Sequence, residues 1–376
     1  MKVSLPLPET APSARAPRQQ YLPALTGVRF FLALWVIVHH LTGPKMLLDP
    51  WMHSLPLVWQ NVVHGGYLAV GTFFVLSGFV LAQSYSLASW DRRNLLRYAA
   101  ARAARVYPVY ALSLLIMAPI MIAELQQPER TGTELAPRIA LVANYGLVLQ
   151  GWFRQLPVHW NTPAWSLSCE FFFYLCFPLA ALALKETRWW KALLIASLAL
   201  AFPNLMSRLG VPLEWKPVYH LGDFLIGILA ARLYSAYLRD RLAGRGYWFY
   251  IPAVILGFLL VANPEVVPKY MSLNTALRPF NATLLIGLAL GGGFPVAALS
   301  HQVIGFLGRA SYSMYILHIP VLWWYKRYFS GVWSNNMMAM IYITGVIAIS
   351  GIVCERVEEP VNRMIRDWVS AKLPRK

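Results

Sequence analysis

Charge is scarce in this chain: Asp, Glu, Lys and Arg make up 13% of its 376 residues, too few for the surface of an ordinary soluble protein. Acidic residues are scarcer still, 16 against 33 Lys and Arg, which leaves a formal net charge of +17. Only three cysteines occur, Cys169, Cys176 and Cys354, each in or beside an apolar segment. They supply neither a disulfide framework nor metal-ligand spacing, and read as small buried hydrophobes. No Gly-x-Ser-x-Gly elbow, P-loop, His-Glu-x-x-His or Cys-x-x-Cys is present. That argues against the common hydrolase, nucleotide-hydrolysing and zinc classes, and no metal is expected. A clear inverted repeat, the mark of many transporters, is also missing. Residues 1–20 are polar and contain no apolar core, which predicts a disordered cytoplasmic tail instead of a cleaved signal peptide.

What the chain has in quantity is apolar surface: 58% of it is hydrophobic and 14% aromatic. Runs near bilayer-spanning length recur throughout, and a separate soluble domain of ordinary size has no room. The expectation is an all-α polytopic membrane bundle over residues 21–365, followed by a basic cytoplasmic tail at 366–376. About ten spans are expected, near 24–42, 64–86, 106–124, 165–184, 189–206, 218–236, 247–262, 278–297, 303–325 and 336–355. The stretch 139–150 is too short to cross and carries Asn144 and Gln150, so it reads as a re-entrant or interfacial helix.

Basic residues concentrate in alternate loops. Arg92, Arg93 and Arg97 precede the third span, Arg239, Arg241 and Arg245 follow the sixth, and Arg356 to Lys376 close the chain. The positive-inside rule places these loops and both termini in the cytoplasm. This distribution accounts for the net charge without nucleic acid as a partner.

Polar residues inside such spans are expensive, so each is a candidate for function. Arg29 and His40 lie eleven residues apart on the first span. At 100° per residue both share one helix face, roughly 16 Å apart along the axis. Arg102 and Arg105 form an Arg-x-x-Arg pair in an Ala-rich, helix-forming run. Two adjacent guanidinium forks suit phosphate oxygens, and equally describe a topology anchor on anionic lipid. Glu170 sits about one turn into an aromatic span opened by Trp165, Ser166 and Ser168. There it needs a partner, a proton or a substrate hydroxyl, or else completes a capping box with one of those serines. Ser311, Tyr315 and His318 follow a polar stripe at i, i+4 and i+7, which faces protein or a cavity. The closing run from Glu355 through Glu358 to Pro360 reads as a salt-bridged helix end with a proline stop.

In order, Arg29-x10-His40, Phe73-Phe74-x-x-Ser77-Gly78, Arg102-x-x-Arg105, Trp165-Ser-Leu-Ser-x-Glu170 and Gly308-Arg-x-Ser311-Tyr-Ser-x-Tyr315-x-x-His318 resemble the acyltransferase-3 family of integral membrane O-acyltransferases. The resemblance runs over about residues 20–365. The second glutamate usual in the fourth motif is Phe171 here, which leaves Glu170 as its only carboxylate.

The resemblance implies a stand-alone enzyme of the bacterial inner membrane that takes an acyl group, most often acetyl, from cytoplasmic acyl-CoA. The acceptor it implies is a hydroxyl of a surface or exported polysaccharide or glycolipid, or of a small secondary metabolite such as an antibiotic. It also implies that Arg29 and His40 form the catalytic pair and that Arg102 and Arg105 contact the donor. Glu170 is the further catalytic candidate, with Ser77, Ser166, Ser311, Tyr315 and His318 lining the substrate path. A proton-coupled transporter is the competing class, because intramembrane Arg, His and Glu also build proton relays.

Overall fold

The computed structural model describes residues 22–85, 90–127, 135–153, 160–184, 189–211, 215–268, 271–329 and 335–372. Among them every regular element is helical, as expected for an all-α bundle. The tail expected at 1–20 lies outside the described residues, as do 373–376.

Helix α1 (Pro23–Leu41) leads through two short helices and a 3₁₀ turn into α2 (Ala69–Ser84). Next come α3 (Arg92–Leu125), the short α4 (Leu135–Gly146), α5 (Trp165–Ala183) and α6 (Trp189–Arg208). The chain continues with α7 (Leu221–Leu233), α8 (Tyr247–Ala262), α9 (Leu273–Leu290) and α10 (Gln302–Phe329). It closes with α11 (Asn335–Val353) and α12 (Glu359–Lys372).

Each of the ten apolar segments holds a helix. Among the described residues, six helical stretches are long and apolar enough to cross a bilayer: 23–41, 57–84, 92–125, 162–183, 216–242 and 335–372. Shorter apolar helices occupy 194–206 and 247–262. The remaining two, α9 and α10, carry buried polar groups, Arg278 in one and Ser311 to His318 in the other. The chain is a multi-pass membrane protein.

Several boundaries differ from expectation, each for a local reason. The Asp91 side chain accepts the Asn94 amide at the start of α3, so the Arg-rich run and the third span form one 34-residue helix. The segment expected at 278–297 is broken, since α9 starts at Leu273 and ends at Leu290. Gly291, Gly292 and Gly293 follow with φ of 77°, 94° and 81°, which residues with a Cβ rarely adopt. Pro360 does not stop the chain. A π-helical turn, Cys354–Glu358, runs straight into α12, where Pro360 sits in the first turn and its missing N–H costs nothing. Residues 366–372 therefore continue a helix.

In a bilayer the lipid is as apolar as the side chains, so helix association rests on close packing. One close crossing joins α2 and α7. Gly78 lies against the Phe224 carbonyl and Gly227 against the Val75 carbonyl, so each backbone occupies the space a side chain would fill on the other. Helix α1 lies between α2 and α10, and α12 packs along α3. Phe74, Phe173 and Phe224 fill the centre, with successive ring centroids 5.1 and 5.0 Å apart.

Candidate active site

Two polar layers lie within this bundle. The first surrounds a cavity of about 350 Å³ whose walls include His39 and His40 of α1, Tyr67, Trp165, Lys216, His220, Asn274 and Tyr315. Nδ1 of His40 lies 2.9 Å from the Val36 carbonyl. A carbonyl only accepts, so Nδ1 carries the proton and the Nε2 lone pair is left for chemistry. The ring of His318 is 5.0 Å from that of His40. His318 donates through Nδ1 to the Tyr315 carbonyl at 2.7 Å, and its Nε2 is buried with no partner among the described residues. Tyr342 donates to the His318 carbonyl at 2.6 Å and fixes that turn of α10.

Also on the cavity wall, His220 donates through Nδ1 to Asp223 Oδ2 at 2.9 Å. Asp223 is buried and paired with Arg278, whose Nε donates to Oδ1 at 2.7 Å. The Lys216 ammonium sits 4.2 Å from the centre of the Trp165 ring.

The second layer is built from guanidiniums. Arg29 of α1 interacts electrostatically with Arg105 of α3 and Glu170 of α5. Among the described residues it forms no ion pair, and its Nε is buried without a partner. Arg102 packs near the rings of Tyr85 and Tyr174, 5.5 and 5.8 Å from their centres, and bonds the Tyr85 hydroxyl at 3.3 Å. Arg105 pairs with Glu358, a buried carboxylate that also accepts Ser313 Oγ at 2.7 Å. Glu170 accepts the Tyr174 hydroxyl at 2.9 Å. Three guanidiniums against two carboxylates leave this layer a surplus cation suited to an anionic group.

The structure distributes the sequence candidates between these layers. His40 and Tyr315 line the cavity, and His318 stands directly behind His40. Arg29, Arg102, Arg105 and Glu170 share the other layer; Arg29 is not part of the cavity wall. The capping-box reading needs correction. The residue before α5 is Ala164, and no side chain caps that end. Ser166 Oγ donates back to the Pro163 carbonyl at 3.0 Å, and Ser168 Oγ accepts from the Gly151 amide at 2.9 Å. Ser166 thus sits beside the cavity at Pro163, a carbonyl it shares with the Tyr315 hydroxyl at 3.2 Å. Ser311 is buried with no hydrogen-bond partner among the described residues, and Ser77 is half-buried on α2 outside the cavity wall.

Sequence reasoning missed His220, Asp223, Arg278 and Glu358. Two signals were available: His220 and Asp223 stand three apart at the head of an apolar helix, and Arg278 lies within an apolar segment. Charges so placed require partners. Glu358 was read as part of a salt-bridged helix end; its partner comes from α3.

Residues 22–355 match the family described as "Acyltransferase domain", acyltransferase-3. Among curated relatives, acyltransferase MdmB of Streptomyces mycarofaciens is 29% identical over 93% of this chain and 94% of its own length. O-acetyltransferase OatA of Staphylococcus aureus is 23% identical over 87% of this chain. A putative O-acetyltransferase, SAR0937, of another strain of that species is 21% identical over 95%. The chain spans 54% and 60% of the lengths of these last two. No solved structure matches. With its family match covering most of the chain, this multi-pass membrane protein belongs to the acyltransferase-3 family.

Proposed function

We propose that this membrane acyltransferase moves an acyl group, acetyl in the simplest case, from cytoplasmic acyl-CoA to a hydroxyl of a cell-surface or exported glycan or glycolipid. The observation that carries this reading is the His40 ring, fixed by the Val36 carbonyl so that Nε2 is the basic nitrogen beside the cavity. In that position His40 takes the proton of the acceptor hydroxyl as it attacks the thioester carbonyl, or carries the acyl group itself. The staphylococcal relatives are named as O-acetyltransferases, which supports acetyl as the group and oxygen as the acceptor atom.

The guanidinium layer fits the donor's phosphates. Arg102 and Arg105 are the binding pair, and Arg29, roughly 16 Å along α1 from His40, orients the donor's arm from the same layer without touching the reacting carbonyl. Glu170, held by Tyr174, sets the position of Arg29 by charge. Aromatic walls with Asn274 and Lys216 suit a sugar ring. A small hydroxylated metabolite is the second reading, favoured by a volume at the low end of ligand cavities, roughly 300–1,000 Å³.

The test is thiol release from acetyl-CoA by purified protein in detergent, with mass analysis of candidate acceptors. His40→Gln is expected to lower transfer by about 10²–10⁴-fold while the melting temperature holds. A fully active His40→Gln protein removes His40 from the reaction. Acetylated glycan in wild-type cells but not in deletion cells supports the first reading, and an acetylated metabolite supports the second.

A further inference from the structure

Besides His39 and His40 of α1, the cavity wall carries a third imidazole, His220, and its surroundings differ from those of His40. The rings within about 5 Å of His40 are His39 and His318, with centroids 5.2 and 5.0 Å away, and its Nδ1 meets only a carbonyl. His220 packs against Phe74 and Trp165, 5.1 and 5.5 Å away, and its Nδ1 meets a carboxylate. That carboxylate is rigidly held. Arg278 reaches Asp223 through Nε at 2.7 Å and Nη2 at 3.2 Å. The remaining donors of Arg278 bond the Ala199 carbonyl at 2.6 Å and the Tyr219 carbonyl at 3.1 Å.

These contacts tie α6, α7 and α9 together without any imidazole, because Arg278 alone satisfies both Asp223 oxygens. Among the described residues, His220 is the ionisable side chain of the network that lines the cavity, next to Tyr219, which joins the network through its carbonyl. A histidine oriented by a buried carboxylate keeps one tautomer and has a counter-charge beside it when it holds a second proton.

We propose that His220, with Asp223 behind its ring, is the proton donor to the sulfur that leaves the acyl donor. The inference rests on the acyl-transfer reading above. As the acceptor oxygen bonds to the thioester carbonyl carbon, its proton passes to His40 Nε2. The C–S bond breaks, its electron pair stays on sulfur, and sulfur takes the proton from His220 Nε2. The proton on His40 then returns to His220 through the cavity, and both rings are restored. Asp223 and Arg278 act as positioning residues.

The test compares two donors that differ in their need for that proton: acetyl-CoA, and 4-nitrothiophenyl acetate, whose thiolate leaves unaided. Thiol release by full-length protein in detergent is measured with water, or any methyl glycoside that raises the wild-type rate, as acceptor. His220→Gln retains a donor for Asp223. It is expected to lose about 100-fold in kcat on acetyl-CoA and less than about threefold on the activated thioester, with KM for acetyl-CoA little changed. Asp223→Asn is expected to show the same donor-selective pattern, whereas His40→Gln loses activity on both donors. A folded His220→Gln protein that keeps acetyl-CoA turnover, or loses both donors equally, overturns the proposal. If His220→Gln does not fold, His220→Asn replaces it; a chain that folds with neither has a purely structural histidine, and the proposal falls. Wild-type protein that releases no thiol from either donor removes the acyl-transfer reading itself.

Discussion

Arg102 and Arg105 lie three residues apart on one helix yet meet different neighbours. Arg102 is framed by tyrosines, whereas Arg105 is tied to the buried Glu358. If both hold donor phosphates, far from the reacting atoms, their loss weakens ground-state and transition-state binding alike. Arg102→Gln is therefore expected to raise KM for acetyl-CoA about tenfold with kcat nearly unchanged, since a charge-assisted contact contributes about 1.5–3 kcal/mol. Arg105→Gln is expected to do the same and also lower the melting temperature, because it strands a buried carboxylate. Unchanged donor kinetics in both variants would favour a lipid-facing topology anchor. Helical spacing was enough to put these two arginines on one side. It could not reveal Glu358, 253 residues away, or join Asp223 to Arg278 across 55. Long-range partners are set by how helices pack, and one sequence carries no direct record of that.

The crossing of α2 and α7 depends on two hydrogen-sized side chains. Adding a methyl group at Gly227 drives it into the Val75 backbone carbonyl, which cannot move as a side chain can. Gly227→Ala is expected to destabilise the protein by about 1–3 kcal/mol, read as a lowered melting temperature in detergent. Gly305→Ala, where no atom lies within 4 Å of the added carbon, serves as the neutral control. Equal melting temperatures for the two would mean that the helices are not held this closely. Apolar run length located ten segments that each hold a helix, because a bilayer demands such runs. Their ends were less legible. The Asp91 cap, the left-handed glycines after Leu290 and the tolerated Pro360 are local backbone effects that hydropathy does not register.

Across the whole molecule, charge and packing agree. The basic helix α12, with Arg363, Arg366 and Lys372, packs along α3, which begins with Arg92 and Arg93. Two basic segments side by side are what the positive-inside rule places in the cytoplasm. Green fluorescent protein fused to the C-terminus is expected to fluoresce in bacteria, and alkaline phosphatase fused there to be inactive; the reverse result would turn the molecule over. At this scale the sequence reading put Arg29 and His40 on one polar face of α1, and did not divide them between two layers. It also lacked the parts of the cavity wall supplied by two other segments, those of His220 and Asn274.

Because one straight helix carries both the cation and the imidazole, eleven residues or roughly 16 Å apart, their spacing acts as a ruler. A carrier gripped at the first mark must extend a flexible arm of matching reach before its cargo meets the second. The enzyme would thus measure its donor by length as well as by charge, and a short activated thioester would react at the second mark without being held at the first.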